Sequence, residues 1–173
     1  SDSEKLAGVL ESAGFQATSN IGLSDIILVN TCVVRQHAED RAAGYISSLK
    51  GLKAKKPNPK IAVCGCMVTE PGRDLKKQFP HVGLFIPPNS PEKLAQFLAV
   101  NAEFGIASAE LITPRSAFHN PHSTTYITIM HGCDNYCSYC VVPYVRGREY
   151  SRPIEEVLNE IKNLIEQGVT DIT

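Results

Sequence analysis

The stretch "DIILVNTC", residues 25–32, is a continuous apolar run that ends in polar residues of the kind found in turns. A strand covered by helices on both faces has this pattern, because neither of its faces needs to be polar. Similar runs follow in "KIAVCGC", residues 60–66, and "VGLFIP", residues 82–87. Helical patterns lie between and after these runs, at residues 34–50, 70–78 and 91–100. The alternation predicts an α/β fold in which helices cover a parallel sheet.

A short amphipathic helix is predicted before the first strand. The stretch "SDSEKLAGVLESAG", residues 1–14, has Ser1 and Glu4 at the spacing of a capping box. Apolar residues recur in it at helical spacing, at Leu6, Val9, Leu10 and Ala13. Gly14 ends the pattern, as glycine does after many helices.

The alternating pattern dissolves between residues 101 and 124. Three helix and strand breakers interrupt this segment: Pro114, Asn120 and Pro121. We therefore place a domain boundary here, with a first domain at residues 1–118 and a second at residues 119–173.

The second domain begins with a predicted strand, "TTYITIMH", at residues 124–131. A loop with three cysteines follows, and then a helix with apolar residues at helical spacing from Ile154 onward. Gly168 is the predicted end of this helix, and Thr170 the predicted start of another strand. The order of these elements is one βα unit and the beginning of the next.

The composition is typical of a globular protein, with 43% hydrophobic and 20% charged residues in a chain of 173. A net charge of −1 excludes a strong overall field for nucleic acid, so any RNA contact must come from local basic patches. No stretch approaches the roughly 18 apolar residues of a membrane span. We expect neither membrane contact nor a secretory leader, and therefore a cytoplasmic location.

The six cysteines fall into two groups, Cys32/Cys64/Cys66 and Cys133/Cys137/Cys140. In a reducing compartment, such groups indicate metal binding rather than a disulfide framework. The second group has the spacing C-x3-C-x2-C on a loop after a predicted strand. Parallel α/β folds and barrels place their chemistry at this edge of the sheet.

Three cysteines on one loop fall one short of the four ligands that a closed zinc site needs. They can bind three irons of a [4Fe–4S] cluster and leave the fourth iron free for a small ligand. The alternative is a structural zinc site formed by the same cysteines together with His131.

The longer stretch "GCDNYCSYCVVPYVRGREYSRP", residues 132–153, resembles the radical S-adenosylmethionine (SAM) methylthiotransferases, and within them the tRNA-modifying MiaB branch. The stretches "DSEKLAGVLESAGF", "DIILVNTCVVRQHAEDRA" and "KIAVCGCMV" are similar to the amino-terminal domain of that family. The resemblance implies a methylthiotransferase domain with a parallel sheet, followed by the first βα unit of a radical SAM partial TIM barrel.

The resemblance also implies roles for residues of the carboxy-terminal loop. Cys133, Cys137 and Cys140 would bind the [4Fe–4S] cluster that holds and reductively cleaves SAM, and Tyr139 would lie beside the adenine of SAM. Among nearby arginines, Arg146, Arg148 and Arg152 are candidates either for the SAM or RNA pocket or for structural contacts.

A second, auxiliary [4Fe–4S] cluster is implied in the first domain, with Cys32 and Cys66 as two of its three ligands. In the family, the third ligand lies in a Gly-Cys-x-x-Asn segment just before "DSE", which would precede Ser1. Cys64 is two residues from Cys66, so the alternation of a strand predicts that both point to the same face. Cys64 is then either a substitute ligand or a buried, inert thiol.

The implied activity is the transfer of a methylthio group to C2 of N6-isopentenyladenosine next to the tRNA anticodon. It requires both clusters, SAM, tRNA and a reductant such as a flavodoxin or ferredoxin. We expect the chain to be an inactive piece of a longer enzyme, with an open barrel fragment that either self-associates or leaves its carboxy-terminal unit poorly ordered.

Three other functions remain open. The nearest is the sister methylthiotransferase that modifies an aspartate of a ribosomal protein. The second is a non-catalytic zinc or iron–sulfur binding module. The third is a ferredoxin-like electron carrier, which would need a fourth nearby cysteine that the loop lacks.

Overall fold

The computed structural model describes residues 2–53, 59–101 and 125–173. Its main sheet has three parallel strands in the order β1 (Ile26–Thr31), β2 (Lys60–Gly65) and β3 (Leu84–Ile86). The predicted α/β fold with a parallel sheet is confirmed. The register pairs Thr31 with Gly65, so β1 and β2 end side by side at the carboxyl edge of the sheet.

Five α-helices accompany this sheet in the described part of the chain: α1 (Asp2–Ser12), α2 (Gln36–Ser48), α3 (Lys50–Lys53), α4 (Leu75–Gln78) and α5 (Glu92–Val100). Alternate residues of the strands enter two separate cores. Ile27, Val29, Ile61 and Val63 pack with Ile46 of α2. Ala62 and Cys64 pack with Leu6 and Val9 of α1 and with Leu94 and Leu98 of α5. Helices therefore bury both faces of the sheet, as the apolar runs predict.

Helix α1 ends as predicted at Gly14, which has φ +88°. The Phe15 N–H donates to the Leu10 carbonyl at 3.0 Å, and the Gly14 N–H donates to the Glu11 carbonyl at 2.9 Å. These two hydrogen bonds form a Schellman motif, which satisfies carbonyls that the helix end leaves without partners. The predicted capping box involves Ser1, which lies outside the described residues.

Predicted elements of the first unit extend beyond the observed ones, as for the strand predicted at residues 82–87, which is observed as Leu84–Ile86. The helix predicted at residues 70–78 is reduced to α4, because Pro71 and Gly72 keep the preceding chain out of the helix. The strand predicted at residues 60–66 ends at Gly65, and a 3₁₀ turn, Cys66–Thr69, follows it.

The second unit contains β4 (Met130–His131), α6 (Val142–Arg146), β5 (Tyr150–Ser151) and α7 (Ile154–Glu166). Strands β4 and β5 pair in antiparallel orientation. The predicted strand at residues 124–131 is therefore largely wrong, although Thr125 forms a parallel bridge with Ile172. The chain before β4 is nevertheless paired: the Thr125 and Ile127 N–H groups donate to the Asp171 and Thr173 carbonyls at 2.9 Å each. The predicted segment therefore divides its backbone partners between residues 171–173 and residues 150–152, and the apolar pattern does not show this division. The predicted domain boundary falls mostly in residues 102–124, outside the described part of the chain, and stays a prediction.

Helix α7 ends as predicted before Gly168, which has φ +87°. The Val169 N–H donates to the Leu164 carbonyl at 3.0 Å, again in a Schellman motif. Leu164 is buried, whereas Leu158 and Ile165 are exposed. None of the helices in the described segments has the length and apolar character needed to cross a membrane. Self-association stays a prediction.

Candidate functional site

Cys32 and Cys66 are the first residues after β1 and β2, respectively. The two strands are neighbours in register, and adjacent strands lie about 4.8 Å apart. Both cysteines therefore lie at the carboxyl edge of the sheet, as two of the predicted ligands of one site should. Cys32 is exposed, whereas Cys66 is 1% exposed.

Gly65 sets the direction in which the chain leaves β2. It has φ +93° and ψ −165°, a backbone conformation that is essentially restricted to glycine. A Cβ atom at this position would lie 2.3 Å from the Thr31 carbonyl oxygen and 2.7 Å from Asn30 Oδ1. The Asn30 side chain in turn donates to Ser3 Oγ at 2.7 Å. The close approach of β1 to residue 65 therefore requires glycine at that position. The hydrogen bond between Asn30 and Ser3 places the start of α1 at the same edge of the sheet.

Cys64 does not share a face with Cys66, so that prediction is wrong. Cys64 packs in the core between the sheet and helices α1 and α5, whereas Cys66 packs in the core on the α2 side. The turn at Gly65 interrupts the two-residue repeat of the strand before it reaches Cys66.

The Cys64 thiol is 2% exposed and lies 3.5 Å from the Val29 carbonyl oxygen, to which it donates. Burial, followed by the negative charge of Asp2, raises the pKa of Cys64 to about 12. The side chain is therefore a neutral thiol at neutral pH. Of the two predicted roles for Cys64, a substitute cluster ligand or a buried and inert thiol, this environment favours the buried thiol.

The loop with Cys133, Cys137 and Cys140 lies between β4 and α6. All three cysteines are free; Cys137 is exposed and the other two are partly exposed. The Cys140 N–H donates to the Cys137 carbonyl at 3.0 Å, which turns the chain between these two thiols. Tyr136, just before Cys137, has φ +45°, a conformation that is uncommon outside glycine.

The start of this loop is held against the segment after α6. Gly132 has φ +75°, and a Cβ atom there would lie 1.9 Å from the Arg148 carbonyl oxygen. The Cys133 N–H donates to the Gly147 carbonyl at 3.2 Å. The backbone around the first cysteine is therefore held by close contacts with residues 147 and 148.

Asp134 makes a second connection between the loop and the same segment. Its carboxylate accepts a hydrogen bond from the Glu149 N–H at 3.0 Å and pairs with Arg148 at 3.3 Å. The Glu149 hydrogen bond lowers the pKa of Asp134; desolvation opposes this effect and Arg148 adds to it. The carboxylate stays ionised and keeps both contacts at neutral pH.

The three thiols of the loop fit an iron–sulfur cluster by their chemistry, because thiolates are the usual ligands of such clusters. Within residues 2–53, 59–101 and 125–173, no three His, Cys, Asp or Glu side chains converge on a position for one metal ion. Ligands of a cubane cluster bind different irons, so they need not converge on one point. His131, the candidate fourth zinc ligand, packs its ring against Tyr150 with centroids 5.1 Å apart.

Arg146 joins the two units at the first cysteine group. Its Nε–H donates to Cys66 Sγ at 3.3 Å. This hydrogen bond raises the pKa of Arg146; desolvation opposes the effect, and the charges of Cys66, Asp2 and Cys32 support it. The guanidinium therefore stays charged between the start of α1 and the ends of β1 and β2.

Val145, the residue before Arg146, also contacts the first unit. Its side chain is 3% exposed and belongs to the core of the first unit. Its carbonyl accepts a hydrogen bond from Thr69 Oγ1 at 2.5 Å. Sequence reasoning missed helix α6 and its contact. Pro143, near the helix start, was the available signal for the helix, but no local pattern indicates a contact over 80 residues.

The other candidate residues lie in the second unit. Tyr139 is 90% exposed, so its ring is open to a flat ligand. Arg152 donates to the Thr128 carbonyl at 2.8 Å and pairs with Glu160 at 2.6 Å. The described contacts of Arg148 and Arg152 are thus within their own unit, whereas Arg146 contacts the other one.

A parallel α/β unit with cysteines at its strand ends, followed by a C-x3-C-x2-C loop, is the arrangement that the resemblance to radical SAM methylthiotransferases leads us to expect. Residues 1–87 match the family described as "Uncharacterized protein family UPF0004", and residues 127–173 match the "Radical SAM superfamily". The chain belongs to the UPF0004 family, and the order of its two matches is that of the MiaB-like radical SAM methylthiotransferases.

Curated relatives agree with this family. A protein of Clostridium perfringens strain 13, named tRNA-2-methylthio-N(6)-dimethylallyladenosine synthase, is 39% identical over 99% of this chain and 40% of its own length. A protein of Clostridioides difficile strain 630 with the same name is 40% identical over 99% of this chain and 38% of its own length. The chain thus spans about two fifths of the length of these relatives.

Proposed function

We propose that this chain is part of a tRNA methylthiotransferase, which attaches a methylthio group to C2 of N6-isopentenyladenosine next to the anticodon. The observation that carries the proposal is the similarity to synthases of that name along 99% of this chain, through both cysteine groups. The same proposal implies that the enzyme is cytoplasmic. It also implies that the enzyme uses SAM and tRNA, with a flavodoxin or ferredoxin as reductant.

In this proposal, Cys133, Cys137 and Cys140 are the ligands of the cluster that binds SAM. The bound cluster and SAM supply the radical chemistry, and the protein supplies ligands, orientation and exclusion of water. Asp134 and Gly132 hold the loop in shape through their contacts with residues 147–149. Tyr139, which is 90% exposed, offers its ring to the adenine of SAM.

Cys32 and Cys66 are the proposed ligands of the auxiliary cluster. Cys66 is 1% exposed and Cys32 is exposed, so the site that they form lies partly inside the protein and partly open to solvent. The family resemblance assigns the third ligand to sequence before residue 1. Cys64 takes no part, because it lies on the opposite side of the sheet.

The test uses the full-length protein that contains this chain, reconstituted anaerobically with iron and sulfide. With SAM and tRNA that carries isopentenyladenosine, we expect mass spectrometry of the nucleosides to detect the 2-methylthio product. Cys32→Ala and Cys66→Ala should abolish the product but leave SAM cleavage largely intact, whereas Cys137→Ala should abolish both.

Cys64→Ala is the matched control in this experiment. It removes a thiol from the same group, at a buried position outside the proposed site, and should retain the product. A wild-type protein with full iron content that modifies a ribosomal protein aspartate, and not tRNA, would replace the proposal with the sister activity. Stoichiometric zinc without iron would replace it with a binding module.

A further inference from the structure

A short segment, residues 145–148, contacts both cysteine groups. On one side, Val145 is buried in the core of the first unit and Arg146 donates to Cys66 Sγ at 3.3 Å. On the other side, the Gly147 carbonyl accepts from the Cys133 N–H at 3.2 Å. Four consecutive residues thus connect the end of β2 to the start of the C-x3-C-x2-C loop.

The charge of Arg146 complements its surroundings. The groups that interact with its guanidinium are Asp2 from α1, Cys66 after β2 and Cys32 after β1, all of them negative when ionised. Cys66 is 1% exposed, so its sulfur must find its polar partner in the protein and not in water. A hydrogen bond from a cation is the interaction that offsets this lack of solvation.

We propose that Arg146 is a positioning residue of the auxiliary site, which holds the Cys66 sulfur with its guanidinium and thereby fixes the auxiliary site relative to the C-x3-C-x2-C loop. The assignment of Cys66 as a cluster ligand rests on the proposed function. The contact between Arg146 and Cys66, and the bridge through residues 145–148, do not.

Arg146 should also influence the electronic state of a cluster bound at Cys66. Hydrogen bonds and positive charge at the sulfur ligands favour the reduced form of an iron–sulfur cluster and raise its reduction potential. Loss of the guanidinium should therefore shift the potential of the auxiliary cluster to more negative values. A residue that serves only packing between the units would have no such effect on the potential.

The first measurement is a redox titration followed by electron paramagnetic resonance. All proteins compared are full-length and carry Cys133→Ala, Cys137→Ala and Cys140→Ala, so that the auxiliary cluster alone contributes to the signal. Arg146→Gln should lower the midpoint potential, and Arg146→Lys, which keeps a charge but not the planar fork, should give an intermediate value.

Arg152→Gln is the matched control. Arg152 is also a hydrogen-bonded and ion-paired arginine, but its contacts are with Thr128 and Glu160 in the second unit. Its replacement should leave the potential of the auxiliary cluster at the wild-type value. Circular dichroism of each variant establishes that it is folded.

The second measurement needs no metal. Hydrogen exchange is compared in this chain for backbone amides of the turn Cys66–Thr69 and of α6. A hydrogen bond to a charged group contributes enough stability for its loss to accelerate local opening about tenfold. Arg146→Gln should show this acceleration in both segments, and Arg152→Gln should leave the Cys66–Thr69 turn unchanged.

The outcomes separate the two proposals. If the wild-type protein assembles no auxiliary cluster, the assignment of Cys32 and Cys66 as ligands is overturned, and the exchange measurement alone decides on the bridge. Faster exchange without a change in potential would reduce Arg146 to a packing residue and overturn its role at the auxiliary site. Unchanged exchange in Arg146→Gln would overturn the inference altogether.

Discussion

Replacement of Gly65 by alanine should strongly destabilise the first unit, because two independent costs add at this position. The backbone has φ +93° and ψ −165°, and holding a non-glycine residue in such a conformation costs about 1–3 kcal/mol. The new Cβ would also lie 2.3 Å from the Thr31 carbonyl oxygen, which belongs to the neighbouring strand. Relieving such an overlap by shifting the backbone costs about 1–3 kcal/mol more.

The summed cost of about 2–6 kcal/mol is a large part of the 5–15 kcal/mol that stabilises a typical domain. Urea unfolding of the metal-free chain, followed by circular dichroism, measures it directly. With a slope of about 2 kcal/mol per molar urea, the midpoint of Gly65→Ala should fall by about 1–3 M. The substitution should also displace Cys66 from Arg146, because Gly65 directs the chain into the turn that carries Cys66.

Two other glycines distinguish the cost of the backbone conformation from the cost of the overlap with strand β1. Gly14 has φ +88°, but no atom lies within 4 Å of the position that a Cβ would take, so Gly14→Ala should lose only about 1–2 kcal/mol. Gly44 lies inside α2 with the same free space, so Gly44→Ala should stabilise the chain by about 0.5–1 kcal/mol. Equal losses for Gly65→Ala and Gly14→Ala would refute the argument that strand β1 presses against Gly65.

Three further predictions concern the metal-free chain. Val145→Ala should destabilise the chain by about 2 kcal/mol in urea unfolding, because the substitution opens a cavity between the units. Leu158→Ala, at an exposed position, should cost under about 0.5 kcal/mol. Equal losses for the two variants would contradict the burial of Val145. Iodoacetamide followed by mass spectrometry should label Cys32 and Cys137 in the folded chain, and Cys64 only after unfolding; rapid labelling of Cys64 would show that its core opens. Arg73→Ala should lower the free energy of unfolding by about 1–3 kcal/mol, because Arg73 pairs with both Glu39 and Glu70 at partly buried positions. Arg148→Ala, which removes a largely exposed pair, should lower it by under about 1 kcal/mol. An unchanged stability in Arg73→Ala would mean that the pairs with Glu39 and Glu70 do not stabilise the fold.

The sequence by itself determined the elements whose cause is local. The apolar runs at residues 25–32 and 60–66 indicated buried parallel strands, because only strands covered on both faces tolerate such runs. Gly14 and Gly168 marked helix ends, because glycine adopts the required positive φ at little cost. The spacing of Cys133, Cys137 and Cys140 placed three thiols on one loop without any knowledge of the fold.

Tertiary structure alone decided the features that depend on distant partners. β1 presses on Gly65, and the resulting turn sends Cys64 and Cys66 into different cores, against the simple alternation of a strand. The strand predicted at residues 124–131 is reduced to Met130–His131, because the backbone partners of this segment are divided between residues 171–173 and residues 150–152, which a single run of residues cannot reveal. The contact of Arg146 with Cys66 joins residues 80 positions apart, and it exists because helix α6 packs Val145 into the core beside the ends of β1 and β2.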